Sequence, residues 1–166
     1  MTITFRALTA VLLLSALAPV AALAQGAQVA FGGIRADTSL PVEVTADQLA
    51  VNQSDGTATF TGNVLIAQGE MRLSAASVLV EYGTEDRSRI ERLHATGGVT
   101  LVSGADAAEA AEAIYSIDNG DVVMTGNVLL TQGTSTIAGQ MLTVDLKTGT
   151  GRMEGRVKTV LQPGGN

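Results

Sequence analysis

"FTGNVLIAQG" (Phe60–Gly69) returns sixty-four residues later as "MTGNVLLTQG" (Met124–Gly133), with seven of the ten positions identical. The phrase has no Cys, no His and no charge, so its repetition has an architectural cause. Placing Gly62, Gly97, Gly126 and Gly155 in one column gives spacings of 35, 29 and 29 residues. Ala46–Val64 then lies over Gly139–Val157 without a gap. The second unit needs about six extra residues, the charged stretch around Glu85–Arg92, which reads as a longer solvated turn. Repeats of this length stack so that neighbours bury one continuous core.

The texture of each unit is that of strands. Short runs of Val, Thr and Leu are broken by turn dipeptides at Asp55–Gly56, Gln68–Gly69, Ser103–Gly104, Asn119–Gly120, Gln132–Gly133 and Thr148–Gly149. Strand side chains alternate between faces. Down the four units the same columns stay apolar: Leu49/Val78/Ala113/Leu142, Val51/Val80/Tyr115/Val144, Phe60/Ala95/Met124/Met153, Val64/Val99/Val128/Val157 and Ile66/Leu101/Leu130/Thr159. The columns between them carry Thr61, Asn63, Thr125, Asn127, Glu154 and Arg156. Each unit therefore predicts two half-buried strands joined by a tight turn. The glycine of the column, on the inward face, marks a bulge or bend. "GADAAEAAEA" (Gly104–Ala113) has helical composition, but the repeat register makes it strand.

Outside the repeat, Arg6, the apolar Ala7–Val20 and the small-residue exit Ala22–Ala24 have the form of a secretory signal peptide over 1–24. Residues 25–40 read as a flexible leader and 41–163 as one β domain. After cleavage the chain would hold 9 basic and 16 acidic residues, a charge of −7. An acidic domain with few aromatics has no footprint for nucleic acid. There is no Cys for a disulfide, and no later apolar run reaches membrane-spanning length.

The chain carries no recognisable reaction chemistry. His94 is the only His and there is no Cys, so no zinc set can be assembled. Asp106, Glu109 and Glu112 lack the spacing of a calcium loop and read as a solvated face. Neither phosphate-binding glycine motif is present. The expectation is a protein that is not an enzyme, with no cofactor and no metal. Its one notable feature is the stripe of Val, Leu, Ile and Met. Such a stripe either fills itself as the closed core of an exported structural β-stack or scaffold, or receives flexible alkyl chains, each buried CH₂ being worth about 0.8 kcal/mol.

"PVEVTADQLAV", "ATFTGNVLIAQG", "VVMTGNVLLTQG" and "RVKTVLQP" resemble the OstA-like, or LptA, family of periplasmic lipopolysaccharide transport proteins, from about Pro41 to Pro163. The resemblance implies an antiparallel β-jellyroll, slightly open, forming a long trough that shields the acyl chains of lipid A. It implies a periplasmic carrier that bridges the inner- and outer-membrane complexes. Its partners would be lipopolysaccharide, an LptC-like inner-membrane-anchored protein, the outer-membrane translocon, and further copies of itself joined end to end. The family's lipid-contacting positions fall on Val42, Val44, Leu101, Tyr115 and Ile117. The inward columns add Val51, Phe60, Val64, Ile66, Val80, Val99, Met124, Val128, Leu130 and Val144 as candidate lipid-binding residues. Two departures from the family pattern are the alanine-rich 105–113 stretch and an end soon after Gln162.

Overall fold

The structure is a computed structural model, which describes residues 27–30, 34–83 and 89–161. The expected signal peptide, the middle of the charged turn and the chain end beyond 161 lie outside the described residues. Eleven strands are described: β1 (Ala27–Ala30), β2 (Glu43–Thr45), β3 (Gln48–Asn52), β4 (Thr57–Gln68), β5 (Met71–Tyr82), β6 (Ile90–Ser103), β7 (Asp106–Ser116), β8 (Asp121–Gln132), β9 (Ser135–Asp145), β10 (Thr150–Glu154) and β11 (Lys158–Val160). They form one antiparallel sheet in the order β1-β10-β9-β8-β7-β6-β5-β4-β2, with β3 also on β4 and β11 also on β9. The two ends of the sheet do not pair with each other, so the sheet is not closed into a barrel.

Strands β4–β9 run 11 to 14 residues. The two short strands expected per unit are halves of these long strands, and the glycine column marks the break between halves. Gly62, Gly97, Gly126 and Gly155 have φ of +82, +84, +87 and +81°. The next residue is left-handed as well: Asn63 at 46°, Gly98 at 85°, Asn127 at 51° and Arg156 at 46°. Two consecutive left-handed residues turn the strand sharply, and the ladder slips there, as between Thr61 and Val64 and between Thr125 and Val128. Asn tolerates this region better than other residues with side chains. A Cβ on Gly126 would lie 2.7 Å from the Cβ of Ala111, and one on Gly97 2.6 Å from that of Ala76. The column is a crease, and the repeated phrase encodes it.

The crease folds the sheet into two facing halves. In the front half, register pairs run Leu49, Phe60, Val78, Ala95, Ala113, Met124, Leu142, Met153, with a parallel row Val51, Ala58, Val80, Leu93, Tyr115, Val122, Val144. In the back half the row is Val44, Ile66, Leu73, Leu101, Ala108, Leu130, Ile137, Thr159. Tyr115, at the front end of β7, donates its hydroxyl to Gln68 Oε1, at the back end of β4, at 2.5 Å. This bond joins the free ends of the two halves and defines a seam opposite the crease.

β7 is strand although five alanines and three acidic residues stand among its eleven residues. Two full neighbours, β6 and β8, supply ladder partners along its length, and packing overrides intrinsic preference. Ala108 and Ala113 face inward and are buried, Ala108 between Leu101 and Leu130 and Ala113 between Ala95 and Met124 of the adjacent strands. The 25–40 stretch is not a loose leader where it is described. β1 pairs with β10, and Ile34 enters the core with no exposure. Residues 34–40 then follow the seam to β2.

Candidate functional site

The inward faces of both halves form one apolar trough. Seven gaps of about 4.8 Å separate the eight strands of the back row, so the trough is roughly 34 Å long. Of the fifteen candidate residues, Val64, Ile66, Val80, Val99, Leu101, Tyr115, Met124, Val128, Leu130 and Val144 line it and are buried. Val42, Val44, Phe60 and Ile117 are half-buried and pack against its margins. Val51 is the correction: it is 63% exposed, and Leu49, on the same strand face, is 56% exposed. Both sit in edge strand β3 opposite inward residues Ala58 and Phe60, so they have the orientation their columns predict. Among the described residues β3 has a ladder partner on one side only, and its apolar face stays exposed.

The trough is broader than the candidates. Met71, Leu73, Leu93, Val122, Ile137 and Leu146 are also buried within it. Leu73, Leu93 and Ile137 pair across the ladder with Ile66, Val80 and Leu130, and the further columns Val44/Leu73/Ala108/Ile137 and Ala58/Leu93/Val122/Gly151, at the same offsets as the others, carry that signal in the sequence. Outward neighbours one residue away show the alternation: Leu65, Val102 and Leu129 are 40, 37 and 37% exposed beside buried Ile66, Leu101 and Leu130.

The buried polar side chains Gln68, Ser103 and Asp106 gather along the seam. Gln68, besides accepting from Tyr115, donates Nε2–H to the Leu40 carbonyl at 2.9 Å. Burial holds the Tyr115 phenol above its ordinary pKa, partly offset by the bond to Gln68. Ser103 Oγ donates to the Arg35 carbonyl at 2.9 Å. Asp106, expected on a solvated face with Glu109 and Glu112, is instead buried and accepts from Gln132 Nε2 at 2.9 Å. Asp106 and Glu109, three residues apart, fall on opposite faces by simple alternation, and the slip between Glu109 and Glu112 returns Glu112 to the outer face with Glu109. His94 lies on the outer face, partly exposed beside Glu112 at 3.4 Å. No group of three or more His, Cys, Asp or Glu suited to a metal occurs among the described residues.

The ends of the trough differ from its middle. At one end, among the described residues, β2 and β3 pair only with β4, and Leu49 and Val51 stand exposed. At the other, β11 pairs only with β9 among the described residues, with Val160 47% and Leu161 72% exposed. An edge strand presents backbone groups that can pair with a further strand.

The architecture is shared with known proteins. The crystal structure of LptH from Pseudomonas aeruginosa, described as the LptA-homologous periplasmic component of a lipopolysaccharide transport device, superposes with a TM-score of 0.68 at 18% identity, covering 77% of this chain and 99% of that one. An uncharacterized protein of Rhizobium meliloti is 31% identical over 153 residues, covering 86% of this chain and 82% of its own length. The lipopolysaccharide export system protein LptA of Haemophilus influenzae is 29% identical over 140 residues, covering 78% and 81%. The LptA of Escherichia coli K12 is 28% identical over 120 residues, covering 69% of this chain and 64% of its own. A family model described as "LptA/(LptD N-terminal domain) LPS transport protein" matches residues 43–150. The creased antiparallel sheet and this match together place the chain in the LptA/LptD N-terminal domain family of lipopolysaccharide transport proteins.

Proposed function

We propose that the protein is a periplasmic carrier that holds the acyl chains of lipopolysaccharide in the trough and bridges inner- and outer-membrane transport complexes. The observation that carries this reading is the uninterrupted apolar row from Val44 to Ile137 across the sheet. A soft aliphatic lining, with Tyr115 the one fully buried aromatic among the described residues, suits flexible alkyl chains. The exposed edges β2/β3 and β11 suit end-to-end addition of further copies, or of an LptC-like protein and the outer-membrane translocon. The seam's polar groups are engaged with one another and with backbone, which argues for carriage over catalysis.

A structural β-stack with a closed core is the second reading, and the near-zero exposure of Ile66, Leu101 and Leu130 favours it. Photo-crosslinking in cells separates the two. A photoreactive residue at Leu101 or Val44 captures lipopolysaccharide under the carrier reading, and one at Thr61, on the water side, does not. Absent or equal labelling at all three positions leaves the closed stack as the better account.

A further inference from the structure

The lining of the trough is sealed: Ile66, Leu101, Tyr115 and Leu130 are each 1% exposed or less. An acyl chain reaches them only after something moves. The crease is an unfavourable place to open, because β5–β8 each carry ladder partners on both sides of it. The seam is held more lightly. Residues 34–40 belong to no strand, yet they lie along it. Four hydrogen bonds tie them to its walls. Ala36 N–H donates to Leu146 O at 3.2 Å, and Arg35 Nη2 to Thr148 O at 2.8 Å. Arg35 O and Leu40 O accept from Ser103 Oγ and Gln68 Nε2. The first pair of contacts is on the β9–β10 turn of the front half, and the second is at the back ends of β6 and β4. One backbone–backbone bond reaches across, and short segments held this way open before the core does.

We infer that residues 34–40 are a displaceable strap and that the space filled by Ile34 is an entry site for an acyl chain. This rests on the carrier reading. Ile34 projects a four-carbon alkyl group into the trough from outside the sheet and is fully buried. An incoming alkyl chain replaces it with like surface, so the hydrophobic driving force changes little in the exchange. Loss of the strap leaves Gln68 bonded to Tyr115 and leaves the Ser103 hydroxyl at a turn, where water can reach it. Pairing of β1 with β10 and of β2 with β4 anchors the chain on either side, so the strap swings out without leaving.

Amide hydrogen exchange on the purified chain, with and without saturating lipid A, tests this. Protection of the Ala36 amide falls about tenfold or more on binding, while the amides of Leu101 and Leu130 keep theirs. Ile34→Ala, which weakens the closed state, raises lipid A affinity by roughly tenfold, because the closed form no longer competes as strongly. Ser103→Ala, which removes one strap bond and leaves the core intact, raises it by a smaller factor and stands in if Ile34→Ala fails to fold. Lipid A binding with Ala36 protection unchanged or increased, or with affinity unmoved by either substitution, overturns the strap and leaves the carrier reading standing. No lipid A binding by the parent or by either variant overturns both.

Discussion

Gly126→Ala is the substitution that most sharply probes the crease. Its φ of +87° is left-handed, which costs a residue with a side chain about 1–2 kcal/mol. The new methyl would also lie 2.7 Å from Ala111 Cβ, well inside the ~3.5–4.0 Å of an ordinary carbon contact. Relieving such overpacking by shifting backbone costs about 1–3 kcal/mol more. The expected total of about 2–5 kcal/mol is a large share of a typical domain stability of about 5–15 kcal/mol. Gly133→Ala, on the β8–β9 turn, is the control. It has a φ of +56° and no atom within 4 Å of the place its methyl would take, so it carries the backbone cost alone. The effect of alanine on the unfolded chain is common to both and cancels. Urea unfolding followed by far-ultraviolet circular dichroism should place Gly126→Ala below Gly133→Ala by about 1–3 kcal/mol. Ala111→Gly in the Gly126→Ala background should recover part of that difference. Equal losses at the two glycines, or no recovery in the double variant, would refute the close packing of the crease.

Three further outcomes are expected. Tyr115→Phe strands the buried Gln68 Oε1 and should lower stability by about 1–3 kcal/mol in urea unfolding. The same variant should change the alkaline profile. The folded phenol is held above its ordinary value, so the unfolded chain ionises first and stability falls as pH rises past about 10. Urea midpoints at pH 9 and 11 should converge more closely in Tyr115→Phe than in the parent, since other groups titrate in both. Val44→Pro, at the β2 edge, should abolish concentration-dependent oligomers in light scattering; oligomers that persist would exclude that edge as the joint.

Much of this fold is written into residue columns. Period-two alternation assigns Ile66, Leu101 and Leu130 inward, and the glycine column locates the line at which the long strands turn. What the columns do not carry is which elements face each other. Val51 has the inward orientation of its column, yet it is exposed because it stands on an edge strand at the end of the trough. Asp106 departs from its expected solvated face because a spacing of three, which keeps residues together on a helix, puts Asp106 and Glu109 on opposite faces of a strand. Ile34 has no periodic signal, since its burial comes from a segment lying across strand ends. Gln68 is legible only as a repeated polar residue at a turn. Its partner Tyr115 is 47 residues away, on the opposite half of the fold.

Acyl chains lying against the inward face would bring their protons next to one set of methyl groups and leave the set one residue away untouched. Isotope-filtered nuclear Overhauser measurements between lipid A acyl protons and labelled methyl groups resolve that difference at single residues. Contacts are expected to Ile66, Leu101 and Leu130, and not to their neighbours Leu65, Val102 and Leu129 on the outer face. Contacts confined to Leu65, Val102 and Leu129, or spread equally over both sets, would contradict carriage in the trough.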